Sequence, residues 1–376
     1  MPLIILVAGV AFLFILQRIL YKKLWDKGLD IDIRFQERSA FEGEKGTLVE
    51  ILENRNFLPL PFLHAKFEIG SGLVFENGEN VSTSDRNYKN DIFSVLFYQR
   101  VTRRLPFLCR KRGYYEVTSA DLVSTDLFYT EHMVRAFKQR GAAFYVYPGS
   151  VDTSIFEQPL KKLIGDMTSR QFIYPDPFEF KGLRNYTISD PMNTINWKAS
   201  AKTGDLMVNQ YDSTTSRRMV ILLNLVDETV VQHQPLHEEA MRIASTLAAY
   251  MLREGYPVRL VTNARDVESK ETILPISANG IAQAEDIYRS LARVDLNLKM
   301  DDFAAYVDRE METPDYASAG YVLISANMKQ NIQDSFFLLC KEAAGMWVAP
   351  LYDNMDFHLD TGNSAEIVRW EVKGHA

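Results

Sequence analysis

The sequence predicts an α+β multidomain chain: an N-terminal transmembrane helix, a β-sandwich-like domain and then a doubly wound α/β domain. Three observations carry this. The first two dozen residues are almost uniformly apolar, residues 29–149 alternate with a period of two, and after Arg218 apolar runs of strand length alternate with stretches of helical periodicity. Length agrees, because 376 residues exceed one ordinary core and fit two domains of roughly 100–200 residues each. At 47% apolar side chains the chain can fill both cores. A formal net charge of −7 argues against nucleic-acid binding, which draws on a Lys/Arg excess to neutralise phosphates.

The anchor and its basic flank are expected over residues 1–28. No side chain from Met1 to Gln17 is charged, and the apolar run from Leu3 through Leu16 continues past Arg18 to Ile19, Leu20 and Tyr21. At ~1.5 Å per residue a helix of this length crosses a hydrocarbon core of ~30 Å. A cleaved signal peptide opens on a basic segment and closes on small residues, whereas this run ends in Gln17-Arg18-Ile19-Leu20-Tyr21-Lys22-Lys23. A core helix shows one polar face, and none is present here. Arg18, Lys22, Lys23 and Lys27 follow the apolar run, so the positive-inside rule expects a single pass of the cell membrane with the N-terminus outside and the bulk cytoplasmic. Tyr21 and Trp25 fall at headgroup level. The two cysteines, Cys109 and Cys340, lie far apart in what read as different domains, which suits a reducing compartment and makes neither a disulfide framework nor a zinc site.

Residues 29–149 carry short β-branched and aromatic runs: Thr47–Leu52, Ala65–Ile69, Ile92–Val101, Tyr114–Thr118 and Phe144–Tyr147. Turn residues such as Gly43, Gly70-Ser71-Gly72 and Gly113 separate them, and no convincing helix intervenes, the pattern of an antiparallel sandwich or barrel. Arg100, Arg103, Arg104, Arg110, Lys111 and Arg112 form a basic run, read either as a patch for anionic lipid or an acidic partner or, more simply, as a charged strand edge. Residues 150–181, with Pro159, Pro175, Pro177 and Gly182 just beyond, read as a connector. In 213–376 the run Met219–Leu223 is that of a strand buried on both faces. A helix over 236–253 ends at Gly255, strands follow at Val258–Val261, Tyr321–Ser325 and Trp347–Pro350, and helices are expected near 279–294, 300–311 and 329–344. Strands alternating with helices imply a parallel sheet covered on both sides.

Residues 182–212 carry the most distinctive segment, GLRNYTISDPMNTINWKASAK from Gly182 to Lys202. Asp190-Pro191 reads as a helix start, with the carboxylate as N-cap and proline as first residue, and Thr203-Gly204 as its end after about three turns. Met192, Ile195 and Ala199 share a face that would pack on a sheet, Trp197 and Ala201 another. Lys198 and Lys202 lie one turn apart near the C-terminus, where the macrodipole favours cations. Arg184, Tyr186 and Asp190 are placed to pair across to Lys198 or Trp197.

This segment resembles the signature of the domain-of-unknown-function 58 family, roughly Arg-x-Tyr-x-x-Gly-Asp, then Ile-x-Trp-Lys, then Ala-Arg. The matching positions are Arg184, Tyr186, Asp190, Ile195, Trp197, Lys198 and Ala201, with Asn196 inside the motif; Ser189 replaces the usual glycine and Lys202 the usual arginine. The resemblance implies a von Willebrand A-like α/β domain, a non-enzymatic membrane-anchored scaffold, and a MoxR-type AAA+ ATPase as protein partner in envelope-linked assembly or maturation. Domains of von Willebrand A type often hold a divalent cation through Asp-x-Ser-x-Ser and a later Asp. The positions corresponding to these are Asn224, Val226, Glu228 and Ala326 after Ser325, too few hard ligands for a cation, so no cofactor or metal is expected, with Asp227 and Glu228 the residues that could substitute. The alternative is a metal-dependent ligand-binding or adhesion module.

Other chemistry is thin. His233 and His237 have the spacing of a zinc pair, but Pro235 between them breaks the helix that would put both on one face, so a loop before the helix with His237 in its first turn is expected. Asp301-Asp302 and Glu238-Glu239 read as solvated faces. A hydrolase would have only Asp190, Lys198 and Ser200 to use. The signature itself is open between docking a partner and clamping the two domains together.

Overall fold

The computed structural model describes residues 2–75, 81–82, 86–139, 143–171, 180–187, 190–211, 218–229, 231–353, 355–356, 359 and 365–373. The chain is a mixed α/β protein with one long apolar helix at its N-terminus and several sheets, divided into two compact units, Met1–Gly149 and Ser150–Ala376.

In the first unit helix α1 (Pro2–Leu24) precedes twelve strands: β1 Leu29–Phe35, β2 Ser39–Phe41, β3 Lys45–Asn54, β4 Leu60–Gly70, β5 Leu73–Phe75, β6 Val81–Ser82, β7 Arg86–Val95, β8 Arg100–Cys109, β9 Gly113–Glu116, β10 Ser119–Thr125, β11 His132–Lys138 and β12 Ala143–Tyr147. They form three sheets, in orders β1-β3-β8-β5, β11-β10-β4-β7-β6 and β2-β12-β9. Alternation sets the faces: on β1, Leu29, Ile31 and Ile33 turn inward while Asp30, Asp32 and Arg34 stay exposed. Phe35, Phe75, Phe107 and Phe144 meet at ring separations of 4.9–5.8 Å. The backbone at Gly46 passes so close that a Cβ there would lie 2.5 Å from the Phe107 ring, so glycine is required for this packing. The single run expected over 92–101 is two strands, because Leu96-Phe97-Tyr98-Gln99 turns between β7 and β8. The basic run is also split: Arg100 and Arg104 are exposed, but Arg103 turns inward and Arg112 is buried.

That inward turn has an electrostatic reason. Glu50 of β3, opposite Arg103 in the ladder, is fully buried, and Arg103 Nη1 and Lys89 Nζ each lie 3.4 Å from Asp91 Oδ1. Neither Glu50 carboxyl oxygen has a hydrogen-bond donor among the described residues. Burial, and then the adjacent Asp91 carboxylate, push the Glu50 carboxyl up to about 9 against the pull of Arg103 and Lys89. An unfolded glutamate ionises near ~4.3. Between that value and 9 only the unfolded chain releases the proton, so stability is lost as pH rises through this window. Glu50→Gln is therefore expected to stabilise the first unit by on the order of 1–3 kcal/mol at pH 8, with the gain fading toward pH ~4. Thermal unfolding at the two pH values checks this, and a loss at pH 8 would contradict it.

The second unit opens with helix α2 (Glu157–Gln171), where a connector is expected from sequence. The difference is one of burial: Phe156, Leu160, Leu163 and Met167 recur at helical spacing and enter the core, and Phe156 stacks on Trp370 at 5.1 Å. Strands β13 (Phe180–Asn185) and β14 (Met207–Tyr211) pair as a separate antiparallel ribbon, with α3 (Trp197–Thr203) between them. The remainder comprises β15 Met219–Leu223, α4 Gln234–Arg253, β16 Val258–Thr262, β17 Ile276–Ala278, α5 Ala284–Ala292, α6 Ala304–Met311, β18 Gly320–Ile324, α7 Gln330–Glu342, β19 Ala344–Tyr352 and β20 Glu366–Val372.

The strands among these build a six-stranded sheet in order β17-β16-β15-β18-β19-β20, parallel except for β17 at one edge. Every residue of β15 is buried: Met219, Ile221 and Leu223 meet α2, α4 and α5 on one face, Val220 and Leu222 meet α6 and α7 on the other. Chain order reverses between the neighbours β15 and β18, so the loops leaving their C-terminal ends run apart, the switch point at which open α/β sheets commonly form a crevice.

Candidate functional site

The signature forms an arm. Its ribbon pairs Arg184 with Val208 and Asn185 with Met207, and Ile195 bridges to Val208. Two features expected from sequence differ. Asp190 caps no helix: it takes a two-pronged ion pair from Arg184 at 2.6 Å on each oxygen, together with the Thr187 N–H at 2.9 Å and its hydroxyl at 2.8 Å. The Arg184 guanidinium and these Thr187 bonds hold the Asp190 carboxyl far below the usual carboxylate range. Proline then leads only into a single 3-10 turn, Met192–Thr194, broken by the extended backbone of Ile195. The true N-cap of α3 is Asn196, whose Oδ1 accepts the Ala199 N–H at 3.0 Å while its Nδ2 donates to Asn209 Oδ1 at 2.7 Å. The helix is therefore seven residues long and stops at Gly204, which adopts the left-handed conformation.

Pairing within the arm thus uses Arg184 with Asp190, and not either of them with Lys198 or Trp197. Ser200 is equally committed, since its Oγ donates to Asn196 O and accepts the Met207 N–H, both at 2.9 Å. Ile195 and Val208 are the buried pair; Met192 and Ala199 do not share a packed face with Ile195, because Met192 is 71% exposed and Ala199 only half-buried. Tyr186 is half-buried, and its backbone N–H donates to Leu206 O at 2.8 Å. What the arm presents outward is Trp197, 64% exposed, with Met192, Leu183 and Leu206 apolar and Lys198, Ala201 and Lys202 exposed beside them. Neither lysine makes an ion pair with another described residue.

A second constellation occupies the crevice. Asn224 Nδ2 donates to Ser325 Oγ at 3.0 Å, Asn263 Nδ2 donates to Asn224 Oδ1 at 3.1 Å, and Asn327 N–H donates to Ser325 Oγ at 3.0 Å. All four side chains are buried. Neutral amides and one hydroxyl, each already hydrogen-bonded, do not fit a hard divalent cation. Just beyond β15, Asp227 joins both histidines, His237 Nε2 at 2.8 Å and His233 Nδ1 at 3.2 Å. As expected from Pro235, which sits in the first turn of α4 where its missing N–H costs nothing, His233 precedes the helix and His237 lies in its first turn, yet both reach the same carboxylate. Burial works to raise the Asp227 carboxyl, but hydrogen bonds from the two imidazoles outweigh it and hold it below its ordinary value. Asn263 and Asn327 escape sequence reasoning, although polar residues just after an apolar parallel strand are the available signal.

Residues 182–364 match the family model described as "Protein of unknown function DUF58". The match begins at Gly182, where the signature begins, covers just under half of the chain, and supports the family drawn from those residues. No curated protein matches the sequence. Among solved structures, an alkylpurine DNA glycosylase from Pseudomonas fluorescens bound to DNA is 15% identical with a TM-score of 0.19, over 30% of this chain and 31% of that one. A non-cellulosomal cohesin from the archaeon Archaeoglobus fulgidus is 9% identical with a TM-score of 0.20, over 30% of this chain and 92% of its own. A cohesin module of a Clostridium perfringens family 33 glycoside hydrolase is 7% identical with a TM-score of 0.20, over 30% and 96%. The chain spans about a third of the glycosylase's length, and no conclusion rests on overlaps this slight.

Proposed function

We propose that the protein is a membrane-anchored, non-enzymatic scaffold whose signature arm docks a protein partner of the MoxR-type AAA+ ATPase class in envelope-linked assembly or maturation. The observation that carries this is the arm's surface: Arg184, Asp190, Asn196 and Ser200 bond to one another's segments inside it, while Trp197 and two lysines with no ion pair among the described residues face outward. An exposed indole beside cations is costly to leave bare and suits an apolar pocket rimmed by carboxylates. Anchoring is supported by the 22-residue apolar stretch Leu3–Leu24, and a cytoplasmic bulk by Arg18, Lys22, Lys23 and Lys27 after it. A β-sandwich-like first domain is the reading its sheets support best, and a von Willebrand A-like second domain agrees with the strand order and antiparallel edge strand.

A metal-dependent adhesion module is the weaker reading, since the crevice side chains already satisfy one another. A hydrolase is weaker still, with Ser200 and Asp190 both engaged structurally. The test is a titration of the full chain in lipid nanodiscs with a MoxR-type ATPase from the same organism. Saturable binding is expected, and a flat isotherm removes the proposal.

A further inference from the structure

Helix α1 is not a free rod ending at the first domain. From Phe14 onward one stripe of it, Phe14, Gln17, Leu20, Tyr21 and Leu24, is half-buried or buried, and it meets two loop tips of that domain. Phe14 meets the Phe128 ring at 5.3 Å, Gln17 Nε2 donates to Asp126 Oδ2 at 2.9 Å, Arg18 pairs with Glu131, and Tyr21 donates to Pro59 O at 2.8 Å. Phe14 precedes Leu24 by ten residues, so the 126–131 tip climbs about 15 Å along the helix.

These tips are apolar where they have no cover. Phe97 is 59% exposed, Tyr98 72% and Phe128 60%, with Phe57, Leu96, Leu127 and Tyr129 also exposed. Tyr98 and Tyr129 hold left-handed backbone, at φ 51° and 58°, where a bulky ring is strained and glycine would be at ease. Aromatic rings are thus kept at both tips against a conformational cost.

We infer that loops 56–62, 96–99 and 126–131 form an aromatic collar that dips into the lipid leaflet next to α1, so that the domain itself is partly embedded. The inference rests on the anchoring reading above. The apolar span Leu3–Leu24 includes the turns from Phe14 onward that the tips flank, so bilayer around α1 reaches the level of the tips. Continuity with that apolar stretch selects lipid as the occupant, and exposed Lys22, Lys23 and Lys27 at the rim suit anionic headgroups. Most polar groups carried to this depth are paired: Asp126 accepts from Gln17 Nε2, from the Thr130 N–H and hydroxyl, and from the Glu131 N–H, which accounts for Gln17 and Arg18 inside an apolar run, while Gln17 Oε1 has no partner among the described residues.

The test uses the full chain in vesicles of phosphatidylcholine and phosphatidylglycerol. Both native cysteines are buried, so a polarity-sensitive thiol fluorophore reports on F97C, F128C and, as control at the far end of β8, L108C. The collar predicts blue-shifted emission and quenching by nitroxide lipids at the first two sites and neither at the third. Water-like emission at all three in chains that still float with the vesicles overturns the collar and leaves the anchor standing. A blue shift without lipid quenching overturns it in favour of a protein occupant, and chains that do not float sink the collar and the anchor together.

Discussion

Trp347→Ala is expected to cost the second unit about 3–5 kcal/mol, the scale for truncating a large buried aromatic. Trp347 is fully buried on β19, meets Phe336 edge-on at 5.6 Å and Phe337 at 6.0 Å, and donates through Nε1 to Ser325 O at 3.1 Å. Alanine leaves a cavity between α7 and the sheet and strips a donor from a carbonyl at the crevice. Trp347→Phe keeps most of the ring contact and should cost about 1–3 kcal/mol, the range for an unsatisfied buried acceptor. Urea unfolding midpoints separate the two. A loss below ~1 kcal/mol for alanine would mean that α7 does not pack on the sheet as described.

The paired substitution Trp197→Glu and Lys198→Glu is expected to act in the opposite way. Both side chains are exposed, so the unfolding midpoint should stay within ~0.5 kcal/mol of the parent. Partner affinity should fall by ~30-fold or more, the loss typical of an aromatic hot spot joined to charge reversal. A fall in stability that matches the fall in affinity would instead make Trp197 a clamp.

Much of this architecture is legible in the residues. The buried strand Met219–Leu223 has the expected bounds because a strand covered on both faces needs an unbroken apolar run, and α4 ends at Gly255 as its composition requires. Helix α2 is not legible as core, since its apolar residues Leu160, Leu163 and Met167 are diluted by Lys161, Lys162 and Asp166 on the solvent side. In the arm the dipeptide Asp190-Pro191 is a good helix start locally, yet Arg184 competes for the same carboxylate and wins with two charge-assisted bonds. Asn196, a weaker signal in isolation, becomes the cap. His233 and His237 stand as the proline predicts, one before α4 and one in its first turn, but their meeting at Asp227 is a tertiary contact that spacing does not reveal.

The central claim is that the arm, and not the crevice, meets the partner. Amide hydrogen exchange on the full chain in nanodiscs, with and without saturating MoxR-type ATPase, tests it most directly. Slowed exchange across 183–187 and 195–208 is the predicted footprint. Protection confined to the loops after β15 and β18, with the arm unchanged, would contradict the account.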